Sequence, residues 1–154
     1  MKISVSLTII TIILCVSCKM NKVISDKESN FLNANTYQLY DISKDAKYAY
    51  TKGIPIKVGG HDKNEGPLNQ RRYLNALLGP DGEEVHFKHV KSCCYKKVKT
   101  KDGNIQLTYL DQYEISLKGK KQRFVIFLSM FEKDEDLLAP RGFTFKTPEV
   151  GDKE

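Results

Sequence analysis

Two adjacent thiols, Cys93-Cys94, follow closely on His86 and His89, and these four side chains could do redox or metal chemistry. Adjacent cysteines close a ring only by distorting the peptide between them, so a Cys93–Cys94 disulfide would be strained and readily reduced. The alternative is a pair of reduced or separately packed thiols at a strand end. Thiolate and imidazole are also zinc and copper ligands, but the spacing is poor and no metal is expected. On a strand His86 and His89 project to opposite faces, and no C-x-x-C pair brings the thiols to one side.

A second candidate is the entry to the helix discussed below. Backbone N–H groups following Gly66, with Gly60 and Asn69 nearby and Arg71 and Arg72 one turn on, could bind a carboxylate or phosphate. Pro67 removes one donor, and no phosphate-loop pattern ending in Gly-Lys-Ser/Thr is present. The expected role of Arg71 or Arg72 is therefore to pair with Glu65 or Asp81 and brace the loop. Asp111, Tyr113 and Glu114 read as ordinary strand residues. No Ser/His/Asp order and no Gly-flanked serine marks a nucleophile, and no cofactor is expected.

These residues must be positioned by one helix and several strands. Residues 66–80, GPLNQRRYLNALLGP, form a helical segment with both ends written in. Pro67 suits a first helical position, and Gly79-Pro80 is a stop. Leu68, Leu74, Leu77 and Leu78, with Arg71 or Tyr73 beside them, make one apolar face about three turns long. So short an amphipathic helix needs a sheet to cover that face.

Strand signals surround it. Ile54 to Val58 reads as a short strand, placed at an edge by Pro55. The pair Gly59-Gly60 implies unusual backbone angles or a close approach. Residues 84–91 alternate well enough for a strand. In residues 105–118, Ile105, Leu107, Tyr109, Tyr113, Ile115 and Leu117 alternate with polar residues, with a bulge or break expected at Leu110-Asp111. Residues 123–131 are apolar on both faces and read as the central strand, in an antiparallel hairpin across Gly119. Residues 142–145 read as a last edge strand. The expected fold class is α+β, an antiparallel sheet with one main helix on a face.

The chain has 154 residues, enough for one modest domain, and 25 Lys plus Arg against 19 Asp plus Glu give a net charge of +6. The basic residues are scattered, and no tract interleaves aromatics with arginine, so no nucleic-acid partner is expected. Residues 1–17 carry a positive tip at Lys2 and then an apolar run, a pattern of export signals that is too short for a comfortable span. Small Ser17 precedes Cys18 as at a bacterial lipoprotein cleavage site, although Cys15 stands where leucine is usual. The expectation is that residues 1–17 are removed and Cys18 is acylated, holding the protein to a lipid bilayer. Removing Lys2 leaves 24 minus 19, or +5. Residues 18–36 then form a polar tether, 37–147 a single domain and 148–154 a frayed tail. With no acidic cluster after Cys18, the periplasmic face is favoured over surface display.

Val58-Gly59-Gly60, the 66–80 block, Ser92-Cys93-Cys94, residues 110–114 (LDQYE) and residues 140–144 (PRGFT) together resemble a family of small Bacteroidetes lipoproteins. The likeness spans about residues 54–145. Similar chains often carry the name 2-dehydro-3-deoxyphosphooctonate aldolase, so the resemblance implies a lyase activity. The enzyme so named is an eight-fold barrel of about 250 residues, which about 100 structured residues do not build. The leading expectation is a binding or interaction module for an envelope protein or small ligand. The alternatives are an aldolase-type enzyme, signalled by Arg71, Arg72, His61 and Asp111 around one cleft, and a redox or metal protein using Cys93 and Cys94.

Overall fold

The computed structural model describes residues 30–100 and 102–148. The expected leader, the acylation site Cys18 and most of the frayed tail lie outside the described residues. In chain order the elements are β1 (Phe31–Asn33), β2 (Thr36–Tyr37), β3 (Ile56–Lys57), a 3-10 turn (His61–Lys63), α1 (Gly66–Ala76), β4 (Leu77–Leu78), β5 (Val85–Lys99), β6 (Ile105–Leu117), β7 (Arg123–Ser129) and β8 (Thr144–Phe145).

The main sheet runs β3-β7-β6-β5, with one main helix beside it, so the fold is α+β. β5, β6 and β7 form an antiparallel meander, whereas β3 joins β7 in parallel and makes the sheet mixed. β7 lies inside the sheet and is joined to β6 through the turn at Gly119, as its apolar run requires. β3 is the edge strand that Pro55 implied. Alternation sets the core face: Tyr113, Ile115 and Leu117 of β6 and Ile126 and Leu128 of β7 are buried. From α1 the buried side chains are Asn69, Gln70, Tyr73, Leu74 and Ala76. Tyr37 of β2, with Leu39, Tyr48 and Ala49 from the irregular segment before β3, joins the same core.

Several boundaries differ from expectation. β5 runs on to Lys99, past the expected strand end at residue 91, so Cys93 and Cys94 lie within a strand and not at its end. α1 stops at Ala76 instead of running to Gly79, because Leu77 turns to an extended backbone (φ −78, ψ 147). Leu77 and Leu78 then pair with Phe145 and Thr144. The last strand therefore caps the helix end in a separate two-stranded sheet and does not edge the main one. β6 is unbroken through Leu110 and Asp111, and the bulges lie on its partner β5, between His89 and Lys91 and between Cys93 and Lys96. The folded body also begins inside the span read as tether. Phe31 stacks on Tyr37 at 4.8 Å and lies under the Arg72 guanidinium, which pins β1 to the helix.

β6 outruns β7. The last β6–β7 pair is Asp111 opposite Leu128, so residues 105–110 pair only with β5 and project as a two-stranded arm. Lys97 with Leu107, and Lys99 with Ile105, share one arm face; Lys96 with Thr108, and Val98 with Gln106, share the other. Ile105 and Leu107 are exposed. At the arm's base Tyr109 meets Phe131 edge-on at 4.9 Å and Tyr95 at 5.6 Å. This aromatic cluster braces the arm against the body.

Tyrosine burial gives the fold an alkaline limit. Burial pushes Tyr48, Tyr50 and Tyr113 up to about 12, and Tyr73, fully buried, well above its ordinary 10.0. The unfolded chain loses these protons near pH 10 while the folded protein retains them, so their contribution is complete below pH 10 and is lost as pH rises through 12. Circular dichroism and tyrosinate absorbance should therefore report one cooperative alkaline unfolding between those limits. Ionisation of Tyr48, Tyr50, Tyr73 and Tyr113 near pH 10 with the circular dichroism of the folded protein unchanged would contradict the packing described.

Candidate functional site

Two groups of reactive side chains meet at the base of the arm. The first surrounds Asp111, which is buried on the core face of β6. Its Oδ2 accepts a hydrogen bond from Gln70 Nε2 at 2.7 Å. Its Oδ1 accepts one from Ser92 Oγ at 2.6 Å and lies 3.0 Å from His89 Nε2. Tyr113 donates its hydroxyl to Gln70 Oε1 at 2.8 Å, so helix and sheet are tied through one polar network. Burial, then the Asp111 carboxylate, raises the Tyr113 phenol, with Arg71 opposing.

The bulge on β5 assembles this network. Residues 89 and 92 would lie on opposite faces of a regular strand. The shift between His89 (opposite Tyr113) and Lys91 (opposite Gln112) makes Val90 an extra residue, and Ser92 then stands opposite Asp111 on the face His89 already occupies. A serine, a histidine and an aspartate thus converge although their order in sequence did not suggest it. Their geometry is not that of a relay. Ser92 gives its single proton to Asp111 and not to the imidazole, so His89 is not placed as the base for a serine nucleophile. What the arrangement accomplishes is satisfaction of a buried carboxylate from three sides.

The second group lines a cleft of about 300 Å³ where β7 ends and the arm continues. One wall is the arm face carrying Lys96, Val98, Gln106 and Thr108; the other is the 52–57 segment with Lys52 and Lys57. Phe131 and Tyr109 line it as well, with Glu132 and Cys94. Lys57 approaches Glu132 at 3.4 Å, while Lys52 and Lys96 form no ion pair among the described residues. The charged lining is three lysines against one glutamate, a net +2.

Cys93 and Cys94 are free thiols, both half-buried. Cys94 is the bulged residue, with a left-handed φ of 62, and its position at the bulge puts it in the cleft lining. Burial, then the hydrogen bond with Cys94, raises the Cys93 thiol, and Lys52 and Lys91 oppose the rise. His86 stands opposite Ser116 and His89 opposite Tyr113, on opposite sheet faces. Among the described residues no group of three or more His, Cys, Asp and Glu side chains is placed to hold a metal ion.

At the helix entry the side chains of Asn69 and Arg72, two of the candidate anion-binding groups, are engaged internally. Asn69 Nδ2 donates to Gly59 O at 3.3 Å, and Asn69 Oδ1 accepts from Arg72 at 3.0 Å. Arg72 Nε donates to Ala34 O at 2.9 Å. The brace is therefore made to the β1–β2 turn and not to Glu65 or Asp81. Gly60 O accepts from the amides of Lys63 and Glu65, and Gly66 packs against Met130 too closely for a methyl group. Arg71 stays exposed. His61 rests on the Phe131 ring at 4.3 Å, so His61, Arg72 and Asp111 have separate partners and do not surround one cleft.

One signal in the sequence could have revealed the Asp111 network. Among the odd positions of residues 105–117, every side chain is apolar or aromatic except Asp111. A lone carboxylate on an otherwise apolar face, next to the buried Tyr113, demands partners, and reading it as an interruption missed that demand. No protein-family model matches this chain, and no curated protein and no solved structure matches it.

Proposed function

We propose that this chain is a lipid-anchored cell-envelope protein, moored at the periplasmic face through acylated Cys18, whose α+β body is a binding module with its site in the cleft at the base of the arm. The observation that carries the binding reading is the cleft itself, a concave space of about 300 Å³ onto which apolar, cationic and amide side chains converge. That combination is the usual character of a small-ligand site. The anchor rests on the apolar run ending in Ser17-Cys18. An aldolase draws no support from the geometry, because His61, Arg72 and Asp111 hold separate partners.

Membrane fractionation with intact-mass measurement tests the mooring. The wild-type chain should partition with membranes and carry acyl mass at Cys18 after loss of residues 1–17, and Cys18→Ser should abolish both. An unprocessed chain free of membranes would overturn it. The adjacent free thiols favour one second reading, a redox role for Cys93 and Cys94. Thiol counts that change by two between untreated and reduced protein would support that role, and unchanged counts would remove it.

A further inference from the structure

Resting on the cleft as the binding site, we infer that its ligand is a small organic anion with a flat apolar body, of the class of aromatic carboxylates and sulfonates. The charge argument starts from Lys52 and Lys96, which both line the cleft and have no carboxylate partner among the described residues. Lys57 has one in Glu132 at 3.4 Å, but both side chains reach solvent, so an entering carboxylate can compete for that ammonium. Lysine heads so placed recognise a negative charge without the forked geometry that arginine would impose.

The body of the ligand follows from the rest of the lining. Val98, Leu110, Phe131 and Tyr109 give an apolar and aromatic wall, which bare phosphate would leave uncovered. Phe131 and Tyr109 are fixed edge to face at 4.9 Å, a preformed surface for a ring. The Thr108 hydroxyl already donates to Lys96 O at 3.1 Å, so its oxygen is left as an acceptor, while the Gln106 amide is the neutral polar group on the same face. A space of about 300 Å³ sits at the small end of ligand sites and suits one or two rings.

The test is a fluorescence titration of the full chain with anilinonaphthalene sulfonate, followed by displacement with naphthoate, naphthalenemethanol and inorganic phosphate. Binding is expected, with displacement by naphthoate alone. The double variant Lys52→Glu/Lys96→Glu should weaken binding by about tenfold or more, because two attractions become repulsions. Lys44→Glu, an exposed site outside the cleft lining, should leave it unchanged. Thr108→Trp, which fills the cleft, should abolish it, with circular dichroism verifying that each variant folds.

Equal displacement by phosphate would overturn the inference in favour of a bare anion site. Equal displacement by naphthalenemethanol, or indifference to the lysine reversals with Thr108→Trp still blocking, would overturn the ligand class and leave the cleft as a binding site. Absence of any probe binding that Thr108→Trp blocks would overturn both.

Discussion

Asp111→Ala should lower the free energy of unfolding by about 3 to 5 kcal/mol, measured by urea denaturation, because it removes the acceptor shared by three side chains. The loss is more than that of the bonds themselves. Gln70, 2% exposed, keeps its carbonyl bonded to Tyr113 but is left with an amide that has neither its carboxylate nor ready access to water. Asp111→Asn preserves the shape and an acceptor for Ser92, and should cost about 1 to 2 kcal/mol. Gln70→Ala combined with Asp111→Ala should fall short of the sum of the two by about 1 kcal/mol or more, the sign of groups acting as one network. A loss below about 1 kcal/mol for Asp111→Ala would show that the carboxylate is not the junction between helix and arm.

The second large effect belongs to Gly60, where Gly60→Val should cost about 3 kcal/mol or more. Two penalties combine there. The backbone is left-handed at φ 99, which a β-branched residue adopts only under strain. An added Cβ would overlap Asn69 Nδ2 and stand 3.1 Å from the backbone of Glu65 and Gly66, neither of which can yield cheaply. Moving Asn69 breaks its bond to Gly59 and withdraws the acceptor that orients Arg72. Gly119 separates the two causes. Its φ is 78 but nothing lies within 4 Å of an added Cβ, so Gly119→Ala should cost only about 1 kcal/mol. Similar losses at the two positions would mean that conformation alone governs both.

The parts legible in the sequence were those governed by local periodicity. Alternation over residues 105–117, the doubly apolar run of β7 and the turn at Gly119 define the meander, since burial on one face or two leaves a direct mark. Gly59-Gly60 likewise announced its left-handed backbone. The helix end did not follow from Gly79-Pro80, because Leu77, buried, and Leu78, half-buried, pair with Phe145 and Thr144 of β8, distant in sequence, which no local signal reveals.

The site was less legible for a related reason. A bulge changes which face every later residue occupies, and the extra residue Val90 leaves no compositional trace. Counting along a regular strand therefore separates His89 from Ser92, whereas the folded chain joins them at Asp111. The cleft is harder still to anticipate. It arises from the unequal lengths of β6 and β7 and gathers residues from four separate stretches, none carrying a motif. At the helix entry the residue types did suggest a site, but the same amide and guanidinium groups are needed to hold β1 and the glycine turn in place.

The central claim is that the cleft beneath the arm receives a ligand, and Cys94 in its lining reports on that directly. The decisive measurement is the rate of Cys94 alkylation by a maleimide, resolved from Cys93 by peptide mass spectrometry, with and without bound anilinonaphthalene sulfonate. The account predicts that the probe, at about ten times its Kd, slows Cys94 labelling about tenfold. An unchanged Cys94 rate while fluorescence shows the probe bound would place the ligand elsewhere and contradict it.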